Sequence, residues 1–173
     1  MNTLRVLVLA ADASTTESSA SNSGELGFAF ADRLQGIQPP NGDMLRAIGD
    51  TELRVEHALC LQSCALAIFV DAHPEVPEPM VFEELSLASG HHLDSMNGRL
   101  APIDIMHALK MLTRLHEAPE CFQLSLQSNA DNIVSEETLN AAVSFVESLL
   151  EDADLERWRS LITRGNNKLS VAR

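Results

Sequence analysis

The chain has 173 residues, 45% of them hydrophobic and 21% charged, which is the composition of one folded globular domain rather than of a disordered segment. Its 12 Lys and Arg stand against 25 Asp and Glu, a formal net charge of −13. Nucleic-acid affinity comes mostly from neutralising phosphates, so neither DNA nor RNA is expected as a partner, and an anionic membrane surface is disfavoured for the same reason. A basic partner surface or a divalent cation suits this charge.

The elements follow in chain order. Leu4 to Ala10 is a continuous aliphatic run, the pattern of a strand buried on both faces. It is too short and too weakly basic in its lead for a signal-peptide core, and the longest clean apolar run, Ala65 to Val70, falls far below the ~20 residues that span a bilayer. A cytoplasmic protein whose cysteines (Cys60, Cys64 and Cys121) stay reduced is therefore expected. Asp12 to Gly24 is dense in serine and has little to bury, which reads as a long mobile loop. Helical spacing returns over Glu25 to Leu34, with Leu26, Phe30 and Leu34 on one stripe. Gly36 to Gly42 is a turn region, Met44 to Gly49 a weak strand and Glu52 to Ser63 a helix.

Cys64 to Val70 is the most hydrophobic segment and reads as a central parallel strand that ends at Asp71. His73 to Pro79, with three prolines, is a loop; Met80 to Leu85 is a short edge strand; Ser86 to Leu100 is a second long loop. Pro102 suits the first turn of a helix running to His116, and Cys121 to Leu126 alternates like a strand. Ser135 can cap a helix to about Leu150 whose first turn carries Glu136 and Glu137, and a last amphipathic piece covers Leu155 to Ile162.

This rhythm of strands and helices predicts an α/β fold: a three-layer sandwich with a mostly parallel central sheet and helices on both faces. A single domain is expected over residues 1–165, with 166–173 as a frayed tail. Ligands in such folds sit beyond the carboxyl ends of the strands. That rule brings Glu25, Asp71 and the doublet His91-His92 towards one rim, and two carboxylates with an imidazole can hold a divalent metal. Each residue also has a structural explanation: Asp71 as a turn residue before His73-Pro74, Glu25 as an acid at a helix N-terminus, the histidines as solvated surface. His57, His107 and His116 fall within or at the end of helical segments and read as structural. No glycine-rich phosphate loop, Gly-x-Ser-x-Gly elbow or His-Glu-x-x-His motif is present.

Several segments together resemble the hydrogenase maturation endopeptidases, which trim the C-terminal extension from the nickel-bearing large subunit of [NiFe] hydrogenases. They are Arg5-Val6-Leu7-Val8-Leu9, Gly24-Glu25-Leu26-Gly27-Phe28-Ala29-Phe30-Ala31, Ala67-Ile68-Phe69-Val70-Asp71-Ala72, Met80-Val81-Phe82 and Leu100-Ala101-Pro102-Ile103-Asp104-Ile105. The resemblance implies an α/β fold and a hydrogenase large-subunit precursor as partner. It also implies metal ligands at Glu25, at Asp71, which it makes the catalytic carboxylate, and at His91 or His92, and a nickel ion carried by the substrate, or another divalent metal, as the ion they meet. Alignment on Leu100-Ala101-Pro102 sets Gly98 at the family's histidine position, whereas alignment on His91-His92 keeps a histidine there. A catalytically degenerate relative acting as an assembly chaperone for a hydrogenase precursor is the alternative. The serine loop, leaving the first strand at the same rim, is expected to order against such a partner.

Overall fold

In the computed structural model, the residues described are 5–11, 25–40, 42–50, 56–77, 79–85, 114, 118–131 and 133–162. Five strands form one sheet among them: β1 (Arg5–Ala11), β2 (Met44–Asp50), β3 (Leu66–His73), β4 (Met80–Leu85) and β5 (Glu120–Gln127). The described helices are α1 (Glu25–Leu34), α2 (Glu56–Leu61), α3 (Glu136–Leu150) and α4 (Leu155–Ser160). The strand order is β2-β1-β3-β5-β4. All neighbours are parallel except β4, which runs antiparallel to β5 at the edge expected for Met80 to Leu85. Val8 pairs with Ile68, so the first and the most hydrophobic strands share this sheet.

The register sorts side chains into two rows. Val6, Val8 and Ala10 of β1, Leu66, Ile68, Val70 and Ala72 of β3, and Phe122, Leu124 and Leu126 of β5 face the larger core. There they meet Phe30 and Leu34 of α1, Leu139, Ala142, Val146 and Leu149 of α3, and Trp158 of α4. Trp158 is fully buried; its indole N–H donates to the Leu149 carbonyl at 2.9 Å. The Phe122 and Phe82 rings meet it edge-on at centroid distances of 5.3 and 6.5 Å. The intervening residues Leu7, Leu9, Ala67, Phe69 and Cys121 are equally buried on the opposite face.

α2 crosses that opposite face. The chain moves one way from β1 to β2 and back past β1 to reach β3, so two right-handed crossovers place α1 and α2 on different sides. Handedness thus accounts for helices on both faces of a mostly parallel sheet.

Some segments differ from their reading in the sequence. β3 does not end at Asp71 but continues through His73, each residue pairing with β5 as far as Gln127. β5 does not simply alternate, because it lies inside the sheet: Cys121, Phe122, Leu124, Ser125 and Leu126 are all buried. α2 is described only over Glu56–Leu61, with a turn at Gln62 and Ser63 closed by the Cys64 N–H on the Leu61 carbonyl. Cys60 and Cys64 are half-buried rather than core residues. The serine loop, the loop carrying His91 and His92, the helix expected over 102–116 (apart from Arg114, which is helical) and the tail 166–173 lie outside the described residues. No helix among the described residues is long and apolar enough to cross a membrane.

Candidate functional site

The carboxyl ends of β1, β2 and β3 meet where the strand order reverses, the place where open α/β sheets bind ligands. A glycine contact fixes the first helix there. A Cβ on Gly27 would lie 2.7 Å from the Ala10 carbonyl oxygen, and one on Gly49 would lie 2.8 Å from the Phe28 nitrogen. Only two residues without side chains allow the first turn of α1 to rest on the ends of β1 and β2. Glu25, two residues before Gly27, therefore opens α1 at the rim as expected; its side chain is outside the described residues.

Asp71 is 1% exposed, and it sits within β3 rather than in the turn before His73-Pro74, which removes its turn explanation. It pairs with Ser125 on β5. Gln123 Nε2 donates to Asp71 Oδ1 at 3.4 Å and to Ser125 Oγ at 3.1 Å, so the three side chains share the face opposite Trp158. Along this row, one step beyond the Ala10–Val70 pair, Ala11 stands beside Asp71, and Ala11 pairs with Asp50 at the end of β2. The row across the rim is Asp50, Ala11, Asp71, Ser125. Two strand spacings separate the two aspartates, about 10 Å between Cα atoms.

His57 belongs to the same end. It lies in the first turn of α2, is 8% exposed, and holds Nε2 3.6 Å from Asp50 Oδ2. Because Asp50 is on the Asp71 side of the register, this contact independently places α2 on that face. A buried carboxylate, a second carboxylate and an imidazole at the mouth of a parallel sheet provide groups that polarise an amide, hold a water and carry a proton. Among the described residues no group of three His, Cys, Asp or Glu is gathered closely enough to hold a metal ion, so Glu25 and the doublet His91-His92 are not brought into contact with Asp71 there.

The thiols take no part in this. Burial pushes Cys121 up to about 12, and burial also raises Cys64, whose Sγ donates to the Cys60 carbonyl at 3.1 Å. Next to the polar row, a groove of about 810 Å³ opens at the end of β5, lined by Gln127, Ser128, Asn129, Ile133, Ser135 and Thr138 among others. Gln127 pairs with His73, two residues along from Asp71, so the groove continues from the rim.

Of this site, the sequence reading identifies Asp71 and Glu25 and misses Asp50, His57, Gln123 and Ser125. Gly49-Asp50 carried the same signal as Val70-Asp71, an acid closing a parallel strand, but in a strand of weaker hydropathy. Gln123 and Ser125 occupy alternate positions of β5, visible once that strand is set beside β3.

No protein-family model matches the chain, and no curated protein matches it in sequence. Among solved structures, the chain is similar to the crystal structure of a [NiFe] hydrogenase maturation protease, HycI from Thermococcus kodakarensis KOD1. The TM-score is 0.53 at 15% identity, with 87% of this chain and 94% of that chain covered. The two share an α/β fold over nearly their whole lengths.

Proposed function

We propose that the protein acts in hydrogenase maturation: it binds the C-terminal extension of a nickel-containing large subunit and cleaves it at a site centred on Asp71. The observation that carries this reading is the buried Asp71 carboxylate at the sheet's reversal point, in a fold shared with a maturation protease. A carboxylate enclosed in that position is costly to the fold unless it meets a cation or a reacting group. The nickel ion is part of the substrate, carried by the large subunit. In the proposed complex Asp71, Glu25 and His91 or His92 approach it, and it polarises the scissile carbonyl. The groove between β5 and α3 offers hydroxyls, amides and one exposed apolar side chain, Ile133, to the peptide beyond the cut.

Incubating the protein with nickel-loaded large-subunit precursor and following loss of the tail by mass tests the reading. Cleavage by the native protein and its loss in Asp71→Asn is the expected outcome; cleavage undiminished by Asp71→Asn sinks the role given to Asp71. A second reading rests on the same sequence segment that holds the histidines: alignment on Leu100-Ala101-Pro102 sets Gly98 at the family's histidine position. On that reading the protein holds the precursor as a chaperone without cutting it, and precursor capture without tail loss is its signature.

A further inference from the structure

Asp50 and His57 form a second pair of titratable side chains at the rim, and neither lies among the ligand positions above. We infer that His57 is a catalytic residue of the Asp71 site, moving the proton during peptide hydrolysis, and that Asp50 is the residue that positions it. The inference rests on the proposed protease activity.

Three placements converge on it. The register sets Asp50 and Asp71 at one level of the same sheet face, two strands apart, with Ala11 between them. The right-handed return from β2 to β3 carries α2 over β1 on that face, so the start of α2 is above the gap between the two aspartates. His57 stands in the first turn of α2, and Asp50 Oδ2 lies 3.6 Å from its Nε2. A carboxylate against one ring nitrogen fixes the orientation of an imidazole and stabilises its protonated form, the arrangement that hydrolases use for general base and acid groups.

The step balances without any co-reactant but water. The imidazole takes one proton from water as the water oxygen bonds to the scissile carbonyl carbon. When the carbon–nitrogen bond breaks, its electron pair stays on nitrogen and the imidazole returns the proton to that amine. The products are a carboxyl terminus and a free amine, and His57 ends neutral. Asp71 is held in β3 and bonded by Gln123, so His57, on a short helix above the row, is the group free to face both water and leaving amine.

The experiment compares native protein, His57→Ala, Asp50→Asn, Asp50→Glu and Asp71→Asn in single-turnover cleavage of nickel-loaded precursor, with a melting curve for each. In His57→Ala, kcat falls about 10²- to 10⁴-fold with KM little changed, and added imidazole restores part of it. Asp50→Asn loses about 10- to 100-fold, and Asp50→Glu recovers part of that loss. A purely structural His57 would lower the melting temperature and give no rescue by imidazole. If native protein cleaves, Asp71→Asn does not, and folded His57→Ala stays within a few-fold of native, the His57 role is overturned while the protease reading stands. If native protein leaves the precursor uncut, both fall.

Discussion

The two faces of the sheet are built from opposite materials at their carboxyl ends. On the face covered by α1, α3 and α4, the row through Ala10, Val70 and Leu124 is aliphatic and continuous with Phe82, Phe122 and Trp158. On the other face, the row one residue further along reads Asp50, Ala11, Asp71, Ser125, with Gln123 behind it and His57 above. A one-residue step along each strand separates a hydrophobic core from a polar site. The first face supplies stability; the second places partly and fully buried polar groups where they cost stability, and that cost is the mark of a functional site. Substitutions on the two faces should therefore separate stability from activity.

The largest loss of stability is expected from Trp158→Ala. The indole fills the centre of the aromatic group with Phe82 and Phe122 and donates to Leu149, so its removal leaves a cavity and an unsatisfied carbonyl. About 3–5 kcal/mol should be lost, lowering the melting temperature by roughly 10 °C. Below that transition, precursor cleavage should keep its native kcat. A changed kcat in the folded variant would mean that the two faces are not independent.

Gly49→Ala probes the junction between them. The added methyl meets the backbone of Gly27 and Phe28, and backbone cannot swing aside as a side chain can. About 1–3 kcal/mol of destabilisation follows, and because α1 must lift from the strand ends, activity should fall with it. Thermal melting together with cleavage kinetics checks the pair. Activity retained despite lost stability would show that the α1 N-terminus, and with it Glu25, is not needed for the reaction.

How much of this was legible from the sequence follows the same division. β1 and β3 announce themselves as runs of apolar residues because both of their faces are buried. α1 and α3 show the 3.6-residue stripe that packs on the sheet, and Ser135 and the two glutamates after it mark the start of α3. The polar row was hardly legible, because its members lie on four different strands and become neighbours only through register. Asp71 stood out alone, since it follows six apolar residues from Ala65 to Val70. His57 carried no such contrast: a histidine in a helix reads as structural until Asp50 is set beside it. β5 was misread as alternating because its interior place between β3 and β4 depends on β4 turning back, which no local pattern encodes.

Ser135→Ala tests the aliphatic side at its rim. Ser135 Oγ accepts the Thr138 backbone N–H at 3.1 Å and lies 3.0 Å from the Thr138 hydroxyl, closing the first turn of α3. Loss of the cap should cost about 1 kcal/mol, read as a small shift of the denaturation midpoint with unchanged slope. Because Ser135 also lines the groove at the end of β5, a change in KM for the precursor would tie that groove to the peptide.

The smallest change in stability is expected from Asp71→Asn, the substitution expected to abolish cleavage. Asparagine has nearly the same shape and keeps a carbonyl oxygen to accept the Gln123 Nε2–H, so the link from Gln123 to Ser125 survives. What disappears is a carboxylate enclosed at 1% exposure, a group whose loss of hydration opposes folding. The melting temperature should stay level or rise, by no more than about 1 kcal/mol in stability, in contrast to every substitution on the aliphatic face. Measured by urea denaturation at neutral pH, a loss above about 2 kcal/mol would mean that the ionised carboxyl holds the fold together. Asp71 would then belong with Trp158 as a structural residue, and the division between the two faces would fail at its central position.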